Sequence, residues 1–213
     1  MSRLSTAYYL NPDVVELAKD LLGKVLCTNI EGIYSSGIIC ETEAYEGITD
    51  KASHAYGGRR TQRTETLYSK GGISYVYLCY GIHHLFNVVS NVQNIPHAVL
   101  IRGIVPLDGK EHILVRRKSK KFQKNSCIGP GKVSQALGIT TQQNGLSLQD
   151  DKIWLEDRNI IPSTNKIISS KRIGIDYAQE DADLLYRFEC FDFQAKMLPR
   201  RLQKSTSGGQ KKL

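Results

Sequence analysis

Four short segments rich in β-branched and aromatic residues follow one another along the first half of the chain, at residues 37–45, 74–78, 85–89 and 98–105. This composition is typical of β-strands. Further strand-like segments are found at residues 24–28, 153–155, 172–175 and 186–191. Together with the helices described next, this succession of strands predicts a mixed α+β fold.

Three segments predict helices. Residues 11–23 have apolar side chains at helical spacing, with Asn11 as the capping residue, Pro12 at the first helical position and Gly23 just beyond the end. The other two helices are predicted at residues 108–117 and 130–137.

The length of 213 residues suits a single domain, and 40% hydrophobic residues are enough for a packed core. We predict one domain over residues 1–202, followed by a disordered basic tail at 203–213. Residues 54–72 are rich in Gly, Arg and Thr and have no apolar period, which predicts a long loop. Such loops in compact domains are often functional.

The chain is basic, with a formal net charge of +8 and a pI of about 9.2. This charge favours a polyanionic partner, either nucleic acid or an acidic membrane surface, although a basic protein without such a partner stays open. The basic run at residues 116–121 is predicted as a solvated loop, either a surface charge cluster or a direct phosphate contact. No apolar run approaches the ~20 residues that a membrane span needs, and we expect no membrane partner.

The five cysteines are odd in number and widely spaced, without a C-x-x-C motif. This pattern indicates thiols in a reducing compartment and not a disulfide framework or a zinc site. The first residues lack the apolar stretch of a signal peptide. We therefore expect the bacterial cytoplasm, or the nucleus if the source is eukaryotic.

The sequence Glu-Thr-Glu-Ala-Tyr at 41–45 ends an apolar strand. Strand alternation places Glu41, Glu43 and Tyr45 on one face. Carboxylates beside apolar and aromatic groups have raised pKa values and can act as acid or base; a solvated pair or a metal site is the alternative. Arg102 interrupts another apolar strand, and we expect it to pair with Glu43, keeping that carboxylate ionised and oriented as a base.

A second informative stretch is the tyrosine-rich strand at 75–81, which ends at Gly81. Tyr80 therefore lies at a turn, where in a basic protein its ring could enter a base stack as a wedge. Tyr45, His54 and Tyr77 could form a stacking pocket for a planar base. Tyrosines packed in the core or on a sheet surface are the commoner alternative.

Other candidate residues are polar and lie mostly in the long loop. Three arginines suit phosphate contact, with a solvated loop as the alternative: Arg59, Arg60 and Arg63. The histidines at 83, 84 and 97 match no strong metal-binding spacing, yet a metal-dependent hydrolase using them with Glu41 and Glu43 stays open. No lysine has the apolar surroundings of a Schiff-base nucleophile.

Several motifs occur in a fixed order: ETEAY at 41–45, His54 with GGRRT at 57–61, YVYLCYG at 75–81, Asn87, VLIRG at 99–103 and GPGKVSQALGI at 129–139. Together they resemble the alkyladenine (3-methyladenine) DNA glycosylase family. The similarity extends from the first predicted helix to the RIGI segment at 172–175, nearly the whole chain.

The resemblance implies a single α+β domain in which helices surround a curved antiparallel sheet, binding the DNA minor groove without metal or cofactor. It implies a monofunctional glycosylase that flips alkylated or deaminated purines out of duplex DNA and hydrolyses the N-glycosidic bond in base excision repair. The expected partner is double-stranded DNA containing damaged purines, which would bring the protein to the nucleoid. We expect a monomer.

The resemblance also implies residue roles. By position, Glu43 matches the general base, Arg102 its water-holding partner, and Ile173 the residue whose backbone carbonyl also holds the water. Tyr45, His54 and Tyr77 match the walls of the base pocket. Asn87 matches the side chain that discriminates against groups on normal purines. Tyr80 matches the wedge residue that fills the space left by the flipped base in the stack, and Ile82 and His83 lie beside it in sequence.

The chain departs from the family pattern after GGRRT. The family usually continues with Pro-Arg-Asn and then Met-Phe, whereas this chain has Gln62-Arg63-Thr64 and then Leu67-Tyr68. The departure leaves the loop conformation and some phosphate contacts open, but not the pocket. A non-catalytic nucleic-acid-binding protein that stacks bases on its tyrosine-rich strand is the alternative of a different class.

Overall fold

The computed structural model describes residues 2–162 and 164–193. The tail predicted at 203–213 and the end of the domain predicted over 1–202 lie outside these residues. Within them, nine strands form one antiparallel sheet, in the order β1-β7-β2-β3-β6-β5-β4, with β9 pairing with both β3 and β8. The predicted α+β fold with an antiparallel sheet is confirmed.

The strands are β1 (Ser2–Arg3), β2 (Val25–Ile30), β3 (Ile33–Tyr45), β4 (Ser74–Cys79), β5 (His83–Ser90), β6 (His97–Pro106), β7 (Ile153–Asp157), β8 (Ile168–Ser170) and β9 (Arg187–Glu189). Three α-helices lie wholly within the described residues: α1 (Val14–Asp20), α2 (Lys110–Arg116) and α3 (Pro130–Leu137). No helix there combines the length and the apolar content needed to cross a bilayer.

Strand β3 is the centre of the sheet. It pairs with β6 along one edge, while its other edge pairs first with β2 and then, at residues 41–43, with β9. The register with β6 shifts on either side of Glu41, which marks a bulge. Beyond this bulge, the last residues of β3 are therefore held from both sides.

The main core lies between the sheet and the three helices. Helix α1 contributes Val14, Leu17 and Ala18, and the sheet contributes buried side chains such as Phe86 and Ile101. Each large apolar side chain fully removed from water stabilises the fold by about 1.5–3 kcal/mol. Two smaller apolar clusters lie apart from this core, and Tyr77 packs on one of them while Tyr45 packs on the other.

The first helix begins later than predicted. The Asp13 side chain accepts hydrogen bonds from the amides of Val15 and Glu16, so Asp13 is the capping residue. The side chain of Asn11 instead accepts from the amide of Asp13, and Pro12 precedes the helix. An aspartate two positions downstream of the asparagine thus replaces it, because its carboxylate reaches the free amides of the first turn.

Residues 172–175, predicted as a strand, form a loop. Gly174 has a φ of +76°, outside the β region, and the Arg172 side chain is buried in an ion pair with Asp50. The alternation of polar and apolar residues here does not reflect a sheet face. The strand lies just before this segment, as β8. The loop predicted at 54–72 is irregular apart from 3₁₀ turns at Tyr56–Gly58 and Glu65–Tyr68.

The basic run at 116–121 is only partly a solvated loop. Arg116 ends α2 and donates to Ser35 and to the carbonyl of Ala136, while Arg117 donates to the carbonyl of Ser126. These two arginines brace α2 against α3 and β3, so the prediction is wrong for them. Lys118, Lys120 and Lys121 are exposed, as predicted.

Candidate active site

A cavity of about 650 Å³ opens beside the end of β3, between β4, β5, β6 and the loop that follows β8. Its walls include six residues that sequence analysis assigned to base binding or catalysis: Tyr45, His54, Tyr77, Asn87, Arg102 and Ile173. Tyr80, His83 and Arg63 also line it. Ile82, Arg59 and Arg60 lie outside its walls. The fold thus brings together most of the predicted set.

Glu43 lies directly behind these walls, with 0% of its side chain exposed. The Tyr45 hydroxyl donates to Oε2 at 2.8 Å and the amide of Ile173 donates to Oε1 at 2.8 Å. Nη1 of Arg102 donates to Oε2 over 3.4 Å. Each of these groups is a hydrogen-bond donor, and donors stabilise the ionised form of a carboxylate.

Burial nevertheless raises the pKa of the Glu43 carboxyl above its ordinary value, because removal from water disfavours the charged form. The Arg102 charge, the Ile173 amide and the Tyr45 hydroxyl lower that pKa without cancelling the effect of burial. The sequence predicted that Arg102 keeps Glu43 ionised. The charge does act in that direction, but burial is the larger effect and moves the group toward the range where a general base works near neutral pH.

Arg102 is shared between two carboxylates. Its Nε lies 3.4 Å from Oε1 of Glu43, so the predicted pair is present, and 3.0 Å from Oε1 of Glu41, which forms a second and shorter ion pair. Glu41 also accepts from Nε of Arg187 at 2.8 Å. Arg187 comes from β9, far away in sequence, and no local pattern indicates it. The predicted common face of Glu41, Glu43 and Tyr45 is confirmed by these contacts.

One wall of the cavity consists of rings braced against each other. The centroids of His54 and Tyr77 are 4.7 Å apart at 72°, and those of Tyr75 and Tyr77 are 5.5 Å apart. Nδ1 of His54 lies 2.9 Å from the Tyr75 hydroxyl. Burial, with smaller effects of Arg63 and Arg59, lowers the pKa of His54 to about 4. His54 is therefore neutral at pH 7, and Tyr75, which sequence analysis did not assign to the site, fixes its ring.

Tyr45 forms a separate part of the wall. The guanidinium of Arg172 lies over its ring, 4.9 Å from the centroid, while the ring also borders the cavity. Its hydroxyl, directed at Glu43, joins this wall to the buried carboxylate. The aromatic part of the predicted pocket is thus present, with each ring held by a polar partner.

Asn87 is buried on β5 and lines the cavity. Its Nδ2 donates to the carbonyls of Tyr75 and Leu85, at 3.1 and 3.3 Å. These two bonds fix the orientation of the side-chain amide. The position suits a residue that a base entering the cavity would meet.

The turn between β4 and β5 presents Tyr80 to solvent. Its side chain is 89% exposed, and its φ of +50° lies in the left-handed region that few residues other than glycine adopt. Ile82, in the same turn, is exposed, and the His83 ring lies against Gly131 at the start of α3. The predicted projection of Tyr80 is present, on the rim of the cavity.

The three arginines predicted to contact phosphate do not form one cluster. Arg60 donates to both carboxylate oxygens of Glu65, at 2.8 and 2.6 Å, and lies over the Tyr68 ring. Arg63 lies over the Tyr77 ring, 5.2 Å from its centroid, at the cavity. Arg59 is exposed. A role in phosphate contact stays a prediction for all three.

The histidines outside the pocket have separate contacts. Nδ1 of His84 accepts from the amide of Thr141, and Nδ1 of His97 lies 3.3 Å from Nδ2 of Asn91. Within residues 2–162 and 164–193, no three His, Cys, Asp or Glu side chains converge as metal ligands would.

The sequence matches a described protein family and relatives from several organisms. A family described as methylpurine-DNA glycosylase matches residues 8–192. A protein of Chlamydia abortus is 50% identical over 186 residues, covering 87% of this chain and 96% of its own. Proteins of Clostridium perfringens strain 13 and Bacillus thuringiensis strain Al Hakam are 47% identical over 194 residues and 48% identical over 184. These two alignments cover 87% and 83% of this chain and 94% and 90% of theirs. All three carry the name "Putative 3-methyladenine DNA glycosylase".

Proposed function

Because this chain belongs to the methylpurine-DNA glycosylase family, and is therefore a hydrolase acting on the N-glycosyl bonds of DNA, we propose that it removes alkylated and deaminated purines from double-stranded DNA. 3-Methyladenine, which the names of its relatives contain, is the first substrate to test. The reaction leaves an abasic site, the entry point of base excision repair. The proposal rests on the surroundings of Glu43, which is buried behind an aromatic cavity and accepts hydrogen bonds from several donors.

The damaged nucleotide must leave the duplex before it can react, because a stacked base is sterically inaccessible. In the proposal the flipped purine enters the cavity between Tyr45 and the pair His54 and Tyr77. Purines alkylated at N3 or N7 are cationic, and cations are attracted to the faces of aromatic rings. Neutral His54 adds no opposing charge, since its pKa of about 4 lies far below neutral pH.

Glu43 acts as the general base in this proposal. The ionised carboxylate takes a proton from a water molecule, the water oxygen bonds to C1′ of the deoxyribose, and the bond from C1′ to the purine nitrogen breaks with its electron pair leaving on the base. Arg102 and the backbone carbonyl of Ile173 hold the water. A positioned base contributes typically 10²–10⁴-fold, and the negative charge also stabilises an oxocarbenium-like transition state.

Asn87 is proposed to select the purine. Its amide is fixed by two backbone carbonyls, so it cannot rotate away from an entering base without breaking those bonds. A rigid polar group penalises purines that leave it unpaired or in steric conflict. Normal purines are the ones that this residue would exclude.

The exposed turn after β4 is proposed to enter the minor groove. Unstacking a nucleotide requires a few kcal/mol, and a ring placed in the vacated space offsets part of that. Tyr80 is the exposed ring, with Ile82 and His83 beside it. The backbone phosphates would be contacted by Arg59, Arg60 and Arg63. The net charge of +8 would attract the protein to the DNA as a whole.

Three further expectations belong to the proposal. The enzyme acts as a monomer on DNA containing damaged purines, without a membrane partner. It works in the bacterial cytoplasm at the nucleoid, or in the nucleus of a eukaryote. Its catalytic unit is the single domain predicted over residues 1–202.

The test is a single-turnover assay of the wild-type protein in EDTA. The substrates are duplexes containing 3-methyladenine, 7-methylguanine, hypoxanthine or ethenoadenine. We expect free base and an uncut strand with an abasic site. Tight lesion binding without release of any base would identify a non-catalytic binder, and release that requires added divalent metal would identify a metal-dependent hydrolase.

A further inference from the structure

Arg172 and Asp50 form a buried ion pair beside the cavity. Their side chains are 0% and 1% exposed. Nη1 of Arg172 bonds Oδ2 of Asp50, and Nη2 donates to Oδ1 at 2.9 Å, so the two planar groups meet through two parallel bonds. Neither residue has a predicted role from the sequence, and 122 positions separate them.

The same guanidinium contacts the two residues that follow Glu43 in β3. Nη1 donates to the carbonyl of Ala44 at 2.9 Å, and the ring of Tyr45 lies 4.9 Å away under the guanidinium carbon. The residue after Arg172 is Ile173, whose amide donates to Glu43. Arg172 therefore holds the end of β3 and the loop that supplies one donor to the carboxylate.

Asp50 fixes the other side of the pocket. Its Oδ2 accepts from the amide of Glu46 at 3.2 Å and its Oδ1 accepts from the amide of Ala52 at 2.9 Å. These bonds close the turn that leads from Tyr45 to His54. One ion pair thus connects the Tyr45 wall, the segment before His54 and the Ile173 loop.

A gain in stability is a poor explanation for this pair. Removing two charges from water is expensive, and replacing a buried pair by apolar residues of similar volume is often neutral or stabilising. In addition, Nε of Arg172 is buried and makes no hydrogen bond within the described part of the chain. The pair supplies geometry that apolar residues would not, because each of its bonds has a fixed direction.

We propose that Arg172 and Asp50 are positioning residues for base hydrolysis, which set the Tyr45 ring and the Ile173 amide relative to Glu43. This inference rests on the proposed function. Neither residue is expected to touch the substrate or the reacting atoms. Their effect is expected in the rate of the chemical step and in the ionisation of Glu43, and not in the affinity for undamaged DNA.

The main variant replaces both partners, Asp50→Leu with Arg172→Met, so that no buried charge is left unpaired. We expect the single-turnover rate to fall about 10²-fold, the typical effect of a displacement of about 1 Å in an active site. Thermal denaturation and binding to undamaged duplex are expected to match the wild type. The matched control is Asp108→Leu with Arg158→Met, an ion pair at 2.7 Å whose residues do not line the cavity. This control is expected to keep the wild-type rate.

The pH profile separates positioning from general damage to the fold. Loss of the Ile173 donor raises the pKa of Glu43 further, so the acid limb of the rate profile should move to higher pH. Removal of the Arg172 charge, which is coupled to that of Glu43, raises this pKa in the same direction, so Arg172→Lys, which keeps the charge, isolates the effect of the donor. The remaining charged or titratable residues facing Glu43 are the same in both variants: Glu41, Tyr45, Arg102 and Arg187. A lower concentration of folded protein would reduce the rate equally at every pH.

A second variant tests the positioning role of Arg172 if the double variant does not fold. Arg172→Lys keeps the charge beside Asp50 but lacks the planar fork that reaches Ala44 and Asp50 together. It should fold, and lose about 10-fold or more in rate with the same shift of the acid limb. Wild-type rate and pH profile in a folded variant would overturn the inference alone. A wild-type protein that releases no base would instead overturn the proposed function.

Discussion

The Tyr45 hydroxyl donates a hydrogen bond of 2.8 Å to Oε2 of Glu43. The ring proposed to stack on a flipped purine is therefore bonded directly to the carboxylate proposed to activate water. A displacement of the ring when the base enters must change the surroundings of the carboxylate. Recognition and chemistry share one hydrogen bond, and changes at either residue should affect both.

Replacement of Glu43 by glutamine should abolish base release while DNA binding is kept. Glutamine preserves the size of the side chain but cannot accept a proton, and a positioned base contributes about 10²–10⁴-fold. The measurement is single-turnover release of hypoxanthine or methylated purine, with electrophoretic titration of the same duplex. Release at a rate close to that of the wild type would show that another group activates the water.

Replacement of Tyr45 by phenylalanine should keep the ring and remove one donor from Glu43. A hydrogen bond to a charged group contributes about 1.5–3 kcal/mol, which sets the scale of the rate loss. Since the hydroxyl lowers the pKa of Glu43, its loss raises that pKa. Activity that requires the ionised form is present above this pKa and lost below it, so the acid limb of the pH-rate profile should move upward. An unmoved limb would contradict the assignment of Glu43.

His54 should make the folded protein less stable in mild acid. Burial lowers its pKa from 6.5 to about 4, so between these values the unfolded chain binds a proton that the folded protein does not. Stability from this residue is complete above about pH 6.5 and declines as the pH falls toward 4. The Tm of wild type and of His54→Gln should therefore differ in slope over this range. Parallel curves would show that His54 titrates normally.

Replacement of Tyr80 by alanine should weaken binding to lesion-containing duplex by about 1–3 kcal/mol, the range for one aromatic ring stacked on a base. Stability should not fall, because the side chain is exposed. Val115→Ala, at another exposed apolar side chain, outside the cavity, serves as the control. Equal affinities at fixed salt would remove Tyr80 from the wedge role.

Binding to undamaged duplex should weaken steeply with salt. Each phosphate neutralised adds about −0.9 to the slope of log K against log salt. Arg59→Gln should make the slope shallower by about that amount if this exposed arginine contacts one phosphate. Arg158→Gln, where the arginine is already paired with Asp108 and Glu156, should leave the slope unchanged. A slope that is the same in Arg59→Gln and in the wild type would show that Arg59 contacts no phosphate.

Local patterns predicted the parts of the site that a single strand or turn determines. Alternation placed Glu41, Glu43 and Tyr45 on one face, and their contacts agree. The glycine after Tyr80 indicated a turn, and the ring is exposed there. Composition also located the central strands, although β1 and β8 are only two and three residues long and give no readable pattern.

Contacts between distant segments could not be predicted in this way. Arg187 reaches Glu41 across 146 positions, and no motif near either residue records the pairing. Asn11 and Asp13 are both good capping residues, so the choice between them depends on where the chain enters the helix. Residues 172–175 alternate like a strand, but a buried charge pair and a left-handed glycine there determine the local structure.

The amide of Ile173 is made 130 positions after the carboxylate that it contacts. During translation, the chain therefore exposes Glu43, Tyr45 and Arg102 long before the last donor is synthesised. A nascent or prematurely released polypeptide that ends before this loop contains Glu43 but lacks the Ile173 amide. Such incomplete chains should not excise bases from DNA, because they lack the amide that donates to Glu43.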